Sequence, residues 1–454
     1  MARKYRLLLV GVVTAALAVS ACSSSSKGTS TATTGSAGSA GSTGGTAGTT
    51  APAGSSGGSL TSSDVGVSPT TIKIGVISSL TGVSSSNFAD SPAGALARIQ
   101  AQNAAGGVDG RKIELVTADD NSTVQGDSTA SQAMAKEKGV FGVIDYSAFT
   151  FGGYRVLQQA GIPVTGYAFD GPEWGVQPDT NMFSFLPPVS TAWNGKYYYP
   201  NYVGKFLASL GAKKPAGFAY GVSPSSIASI KVIFQGASQN GLSACYPNYS
   251  IPFGAVDFTA QVLQVKSLGC DAVVGSFVDA SDVAMATALS QAGLSNVKKL
   301  WYTGYDTLTL KSSASKAAFE GSYFQSPVLF DRSIPGVGTM LDNFAKYDPG
   351  FHAGDLPDFG AWGSYIAADL MIKGLELAGQ NPTRKAFIAN LRQVSNYDAS
   401  GILATPTSFT NFGTPQMMPT TACAYFVELK NGQFVNAAPN GKSVCAGLVQ
   451  FPAK

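Results

Sequence analysis

Residues 71–79, TIKIGVISS, followed at 112–120 by KIELVTADD and at 140–145 by VFGVID, decide the fold of this chain. Each is a short run rich in β-branched residues, the composition of a strand buried on both faces. Between the first two, Pro92 to Ala104 has helical periodicity and stops at Gly106-Gly107. Gln125 to Lys138 is helical before the third strand, Phe151 to Ala160 after it, and a further strand follows at 162–167, IPVTGY. Strands that alternate singly with helices form parallel βαβ units with right-handed crossovers.

The alternation then restarts. A helix is expected over Trp193 to Leu210, a strand at Pro215 to Tyr220, a helix over Ser226 to Asn240 and a strand at Cys245 to Ile251. Asp257 is expected to cap a helix whose Phe258, Val262 and Val265 share one face. Strands at 271–277 and 299–303 flank a helix that ends at Ala292. The fold class is therefore α/β, with two doubly wound lobes. The final third carries helices at Gly338 to Tyr347, Asp358 to Ala378 and Pro382 to Val394, with Pro382 in a first turn, and a hairpin turning at Asn431-Gly432. These elements are expected to complete the lobes, giving 67–188 with 326–410 as lobe 1 and 189–325 with 411–454 as lobe 2.

Residues 1–22, MARKYRLLLVGVVTAALAVSAC, read as an export signal. A basic start (Arg3, Lys4, Arg6) precedes an apolar run from Leu7 to Val19, too short to span a membrane in the mature protein. The ending VSAC resembles a bacterial lipobox, in which Cys22 is lipidated and becomes the new N-terminus. Residues 23–66 are mostly Ser, Thr, Gly and Ala, with too little apolar surface to offset the entropy of ordering, and are expected to form a disordered tether. About forty such residues reach on the order of 35 Å. After cleavage the chain holds 27 basic and 27 acidic residues, a balance that argues against a nucleic-acid partner. Cys245, Cys270, Cys423 and Cys445 are an even set in an exported chain, and two disulfides follow. The pairs Cys245 with Cys270 and Cys423 with Cys445 are favoured, because each brackets one local unit. A metal site is the weaker reading, since CxxC spacing is absent and the one histidine, His352, sits in a loop bounded by Gly and Pro.

The segments IKIGVISSLTG (72–82), NAAGGVDGRKIELVTADD (103–120), AGIPV (160–164) and DFTAQVLQVKSLGCDAVV (257–274) resemble, in order and spacing, the leucine/isoleucine/valine-binding protein family. These are type I periplasmic solute-binding proteins of ABC importers. The resemblance implies two α/β lobes joined by three crossovers, with the ligand held where the lobes close. It also implies a small-molecule solute, a membrane permease as partner, a monomer, and no cofactor or metal.

Ligands of doubly wound sheets lie beyond the carboxyl ends of the strands. In the family, a serine of the loop after the third strand holds the ligand carboxylate; here Tyr146-Ser147 falls in that loop, and Ser147 matches. The next loop, 167–170, would bring Ala168 and Asp170 to the ligand, and Asp170 stands where amino-acid binders place a hydroxyl donor. An ionised aspartate there repels a carboxylate. Asp306 aligns with the family's acidic partner for an ammonium, and Ser225 and Ser226 stand in the loop that carries an aromatic residue in relatives. Phe88, Tyr146, Phe277 and Tyr305 are candidates for an aromatic wall. With Asp170 and Asp306 both in the cleft, a cationic, amine-rich or polyhydroxylated ligand is expected over an aliphatic amino acid.

Enzymatic readings have little support. From Asp64 onward GxSxG, Walker and GxGxxG motifs are all absent. Asp119-Asp120 could serve a glycosidase, but is expected to end a strand in solvent. The sequence thus favours a lipid-anchored extracytoplasmic binding protein, with a ligand sensor or a cell-surface hydrolase as the alternatives.

Overall fold

A computed structural model describes residues 59–168 and 171–453. The export signal, Cys22, nearly all of the tether, and Asp170 lie outside the described residues.

Five parallel strands build the first sheet: β1 (Thr71–Ser78), β2 (Lys112–Asp119), β3 (Gly142–Asp145), β4 (Val164–Gly166) and β5 (Met182–Ser184), ordered β2-β1-β3-β4-β5. Both faces are covered, as a parallel sheet requires. On one, Ile72, Ile74 and Val76 meet the helices Ser91–Ala104, Pro335–Tyr347 and Phe359–Ala378. On the other, Ile77 and Val143 meet Met134, Leu157 and Trp174.

The second sheet has ten strands. Its parallel half is β8 (Pro215–Tyr220), β9 (Tyr246–Ile251), β10 (Ala272–Ser276), β11 (Lys298–Trp301) and β12 (Ser322–Ser326), running β9-β8-β10-β11-β12. Antiparallel strands extend it: β13 (Thr421–Lys430) pairs with β12, with β14 (Gln433–Asn436) and with β15 (Val444–Pro452), and β15 pairs with β7 (Lys196–Pro200), which also carries the two-residue β6 (Ala192–Trp193). One face buries Phe206, Ile230 and Ile233 with Phe426; the other buries Phe218, Phe258, Val262 and Trp301. The Phe206 and Phe426 rings stack at 4.0 Å, and burying each such side chain is worth about 1.5–3 kcal/mol. The chain passes between the two sheets three times, after β5, after β12 and before β13.

Both expected disulfides form, Cys245–Cys270 and Cys423–Cys445, the second tying β13 to β15. The hairpin turns at Asn431-Gly432, whose φ values of 52° and 71° suit a two-residue turn of the hairpin type.

Four expectations are corrected. Ala192–Trp193 and Lys196–Pro200 are strands joined by a turn at Asn194-Gly195, and only Tyr202–Ser209 is helix, because KYYYP pairs along β15 while Asn201 caps the helix by accepting from Gly204 N–H. Pro382 precedes its helix, Arg384–Leu391, which Thr383 caps. Asp257 stands one residue before the N-cap Phe258 of Thr259–Leu268 and accepts from Thr259 N–H at 3.0 Å. The ordered body also begins before residue 67: the buried Arg111 guanidinium donates to the Thr61 carbonyl at 2.9 Å, and Asp64 accepts from Arg384 N–H at 2.7 Å. A buried guanidinium needs acceptors, and residues 61–64 help supply them.

Candidate ligand-binding cleft

The lobes meet at two seams. At one, Asp279 N–H donates to Asn87 Oδ1 at 2.9 Å and the Phe149 and Phe253 rings pack at 5.1 Å. At the other, Thr307 N–H donates to the Leu356 carbonyl at 3.2 Å and Lys311 pairs with Asp355 at 3.1 Å. A cavity of about 120 Å³ lies between the lobes. Lobe 1 lines it with Asn87, Phe88, Ala148, Tyr167 and Phe359. The other lobe supplies Tyr199, Tyr202, Tyr220 and Tyr302, the rings of Phe253 and Phe277, and Gln325. Ser223, Ser225 and Ser226 line it from the start of the helix Pro224–Gln235, with Ser229 one turn on.

Strand ends place most of these groups. Tyr220 closes β8, Ser276 closes β10, and Tyr302 and Thr303 follow β11 directly. Several hydroxyls are already engaged. Ser226 Oγ donates to the Ser276 carbonyl at 2.7 Å and accepts from Tyr220 N–H at 2.9 Å; Thr303 Oγ donates to Asp282 at 3.0 Å; Tyr220 Oη donates to Ser281 Oγ at 2.7 Å. Tyr167, Tyr199, Tyr202 and Tyr302 form a mutually interacting phenol group. Burial is the main cause that pushes each of them above the ordinary tyrosine value, and for Tyr167, Tyr199 and Tyr302 the proximity of Tyr202 adds to it. These phenols remain neutral, able both to donate and to accept.

Of the candidate ligand residues, the cavity brings together Phe88, Ser226 and Phe277. Tyr146 stands behind the wall, its ring 5.8 Å from Phe88, 6.4 Å from Tyr167 and 5.7 Å from Phe359. It fits there because Gly363 has no side chain; a Cβ on Gly363 would lie 1.9 Å from Tyr146 Oη.

The other expectations need correction. Ser147 Oγ is bonded to the Asp120 carboxylate and accepts from Phe149 N–H at 2.8 Å, so it is spent inside lobe 1 rather than on a ligand. Ala168 donates its N–H to Ser184 Oγ at 2.8 Å, away from the cavity. Nearby in β4, Thr165 Oγ donates to the Ala367 carbonyl at 2.8 Å. Gly304, at φ 90°, turns the chain after β11, so that Tyr302 and Thr303 face the cavity while Tyr305 packs on Phe330 and Phe434 at 4.8 and 4.9 Å. Asp306 caps the short helix Thr307–Lys311 by accepting from Thr309 N–H at 2.8 Å. Its burial, with Asp279 nearby, pushes its carboxyl up to about 7. Asp120 is buried and bonded to Ser79, Ser147 and Ser122 N–H, not in solvent; Asp119 accepts from Leu80 N–H and from the Thr81 hydroxyl. Neither aspartate lines the cavity.

The tyrosines were the groups that sequence reasoning missed. Tyr199 and Tyr202 fell inside the mistaken helix, whereas Tyr220 and Tyr302 stood at strand ends, where a stricter use of the carboxyl-end rule finds them. Among the described residues no cluster of acids, cysteines or histidine has the arrangement of a metal site, and no helix is long and apolar enough to cross a membrane.

Two α/β lobes enclosing a small cavity, with the chain passing three times between them, define a bilobal solute receptor. The periplasmic binding protein family profile matches residues 71–433, and this chain belongs to that family. Solved structures with the same fold include a fatty acid ABC transporter substrate-binding protein from Thermomonospora curvata, at 20% identity, covering 83% of this chain and 94% of that one with a TM-score of 0.64. Leucine-binding protein LivK from Thermotoga maritima is 18% identical over 81% of this chain and 99% of its own, with a TM-score of 0.65. LivJ from Streptococcus pneumoniae, solved with isoleucine, is 19% identical over 84% and 100%, with a TM-score of 0.64. Among curated proteins none matches by sequence.

Proposed function

We propose that this chain is the solute-capturing component of an ABC importer, held outside the cell membrane by lipid on Cys22 and delivering its ligand to a membrane permease. The observation that carries the reading is the cavity itself, walled by side chains of both lobes. A ligand placed there touches both lobes only when they are closed, so binding biases the open–closed equilibrium by the free energy of the interactions that form on closure. A permease that recognises the closed form then distinguishes loaded receptor from free. The lobes are taken as 67–188 with 326–410 and 189–325 with 411–454, and the active species as a monomer.

Asp306 is not the partner of a ligand ammonium in this reading, because its carboxyl caps a helix. A hydrolase reading loses its carboxylate pair for the same kind of reason, since Asp119 and Asp120 are committed to the loops of lobe 1. The test is a thermal-shift screen of residues 59–454 against amino acids, amines, polyols and aromatic acids, followed by calorimetry on any hit. One saturable site, weakened by Phe277→Ala and accompanied by compaction in small-angle scattering, supports capture between lobes. A hit that leaves the scattering profile unchanged and is indifferent to Phe277→Ala refutes it.

A further inference from the structure

We infer that the ligand is an uncharged ring compound carrying hydroxyl or carbonyl groups, gripped by a cage of tyrosine phenols between aromatic faces. The inference deepens the proposed capture of a solute and rests on it.

The cavity offers two kinds of surface. Phe88 and Phe359 from one lobe, and Phe253 and Phe277 from the other, present apolar ring faces. The same cavity is lined by Tyr167, Tyr199, Tyr202 and Tyr302, whose phenols interact with one another, and by Asn87 and Gln325. Ring faces suit a ring, and phenols and amides suit hydroxyl or carbonyl groups on its rim, because each can give or take a hydrogen bond. Among the described residues, no Lys, Arg, Asp or Glu lines the cavity. Three acids lie behind the wall: Asp306 caps its own helix, Asp282 accepts from Thr303 with one oxygen, and Asp279 follows Val278 at the seam with Asn87. Burial pushes all three carboxyls upward, away from the ionised form.

An ionised ligand would therefore leave water for a site walled by neutral groups. Desolvating an ion that gains no charged partner is strongly unfavourable. A neutral hydroxylated ring avoids that cost and exchanges its water bonds for bonds to phenols. The start of the helix Pro224–Gln235 also faces the cavity, and a carboxylate is the ion it would favour. Comparison of matched neutral and ionised ligands separates these effects.

Calorimetry on the full exported chain at pH 7 uses two matched series. The first is benzyl alcohol, benzoate and benzylamine; the second is glucose, glucuronate and glucosamine. The expected result is that in at least one series the neutral member binds about tenfold or more tightly than both ionised members, and that Tyr202→Phe and Tyr302→Phe each weaken it about tenfold, as loss of one ligand hydrogen bond predicts. Circular dichroism confirms that these conservative variants are folded. Tighter binding of a carboxylate or an amine overturns the inference but leaves solute capture standing. A neutral ligand whose affinity both Tyr→Phe variants leave unchanged overturns the phenol cage. Absence of binding by every solute in these series and in the broader screen overturns both the inference and the proposed function.

Discussion

Asp145 ends β3 with its side chain sealed inside lobe 1, and its replacement by asparagine should make the protein more stable at pH 8 than the native chain while changing little at pH 5. Its Oδ1 accepts from Thr150 Oγ at 2.9 Å, and its Oδ2 has no protein donor. Burial pushes its carboxyl up to about 8; the Thr150 bond opposes the shift and the charge of Asp120 adds to it. Asp127 lies in the same group, raised by burial and by the charges of Asp145, Asp120 and Glu173. The unfolded chain, with an ordinary value of about 3.9, releases the Asp145 proton long before the folded chain does. Between those two values the folded state holds more protons, so the stability this group contributes is complete below about pH 4 and is lost as pH rises towards 8. One unshared proton corresponds to about 1.4 kcal/mol per pH unit, hence on the order of 4 kcal/mol between pH 5 and pH 8.

An asparagine keeps the acceptor for Thr150, adds a donor on the Oδ2 side and cannot ionise, so it removes that slope. Asp127 and Asp120 still titrate, and we expect a net gain for Asp145→Asn of about 1–3 kcal/mol at pH 8. Urea midpoints at pH 5, 6, 7 and 8, followed by tryptophan emission, measure it directly; Trp174 is buried in this lobe and reports locally. Parallel pH profiles for native and variant chains would refute the reasoning, as would a variant whose deficit grows towards pH 8.

Cys22→Ala should leave the folded body intact and move it from the membrane fraction to the soluble fraction; retention at native levels would contradict the anchor. Non-reducing peptide maps should recover Cys245–Cys270 and Cys423–Cys445, and each closes a short loop worth about 2–4 kcal/mol of unfolded-state entropy. Gly363→Ala should lower stability by about 1–3 kcal/mol by overpacking, although alanine is the better helix former by about 1 kcal/mol, because its Cβ collides with Tyr146. A stabilised Gly363→Ala would show that the Tyr146 layer is loosely packed. Asn87→Ala removes the acceptor for Asp279 N–H at the lobe seam and should weaken ligand affinity with little change in melting temperature of the free protein; unchanged affinity would place closure elsewhere.

Most of the fold was legible because its signals are local. The buried strands of the first sheet and of the parallel half of the second are short apolar runs, and Pro215–Tyr220 begins and ends where its composition does. What escaped notice was paired at long range. β7 owes its conformation to β15, some 250 residues on, and its aromatic residues at 197–199 carry no periodicity that separates such a strand from the start of a helix. β5, β6 and β12 are three, two and five residues long and have almost no pattern of their own. The short lobe-1 strands and the lobe-2 edge are thus set by neighbours rather than by propensity.

The site was harder to read for a different reason. Residues with strong chemistry attract attention in a sequence, yet in this structure the acids near the cleft are consumed in building it. Asp306 fixes a helix start, Asp282 holds Thr303, and Asp120 holds Ser147 and the loop behind it. Each carboxyl satisfies donors that would otherwise be buried without partners, which is the requirement placed on polar groups in a closed interface. Recognition is then left to residues that look like core when only the sequence is known, tyrosines and phenylalanines at strand ends. A phenol buried by a lobe on each side has no water to bond once the lobes close, so what its own lobe does not satisfy must come from the opposite lobe or from a ligand. That dependence links selectivity to closure: a solute that engages Tyr167 of one lobe together with Tyr202 and Tyr302 of the other also stabilises the closed arrangement that brings the two lobes' phenols around one cavity.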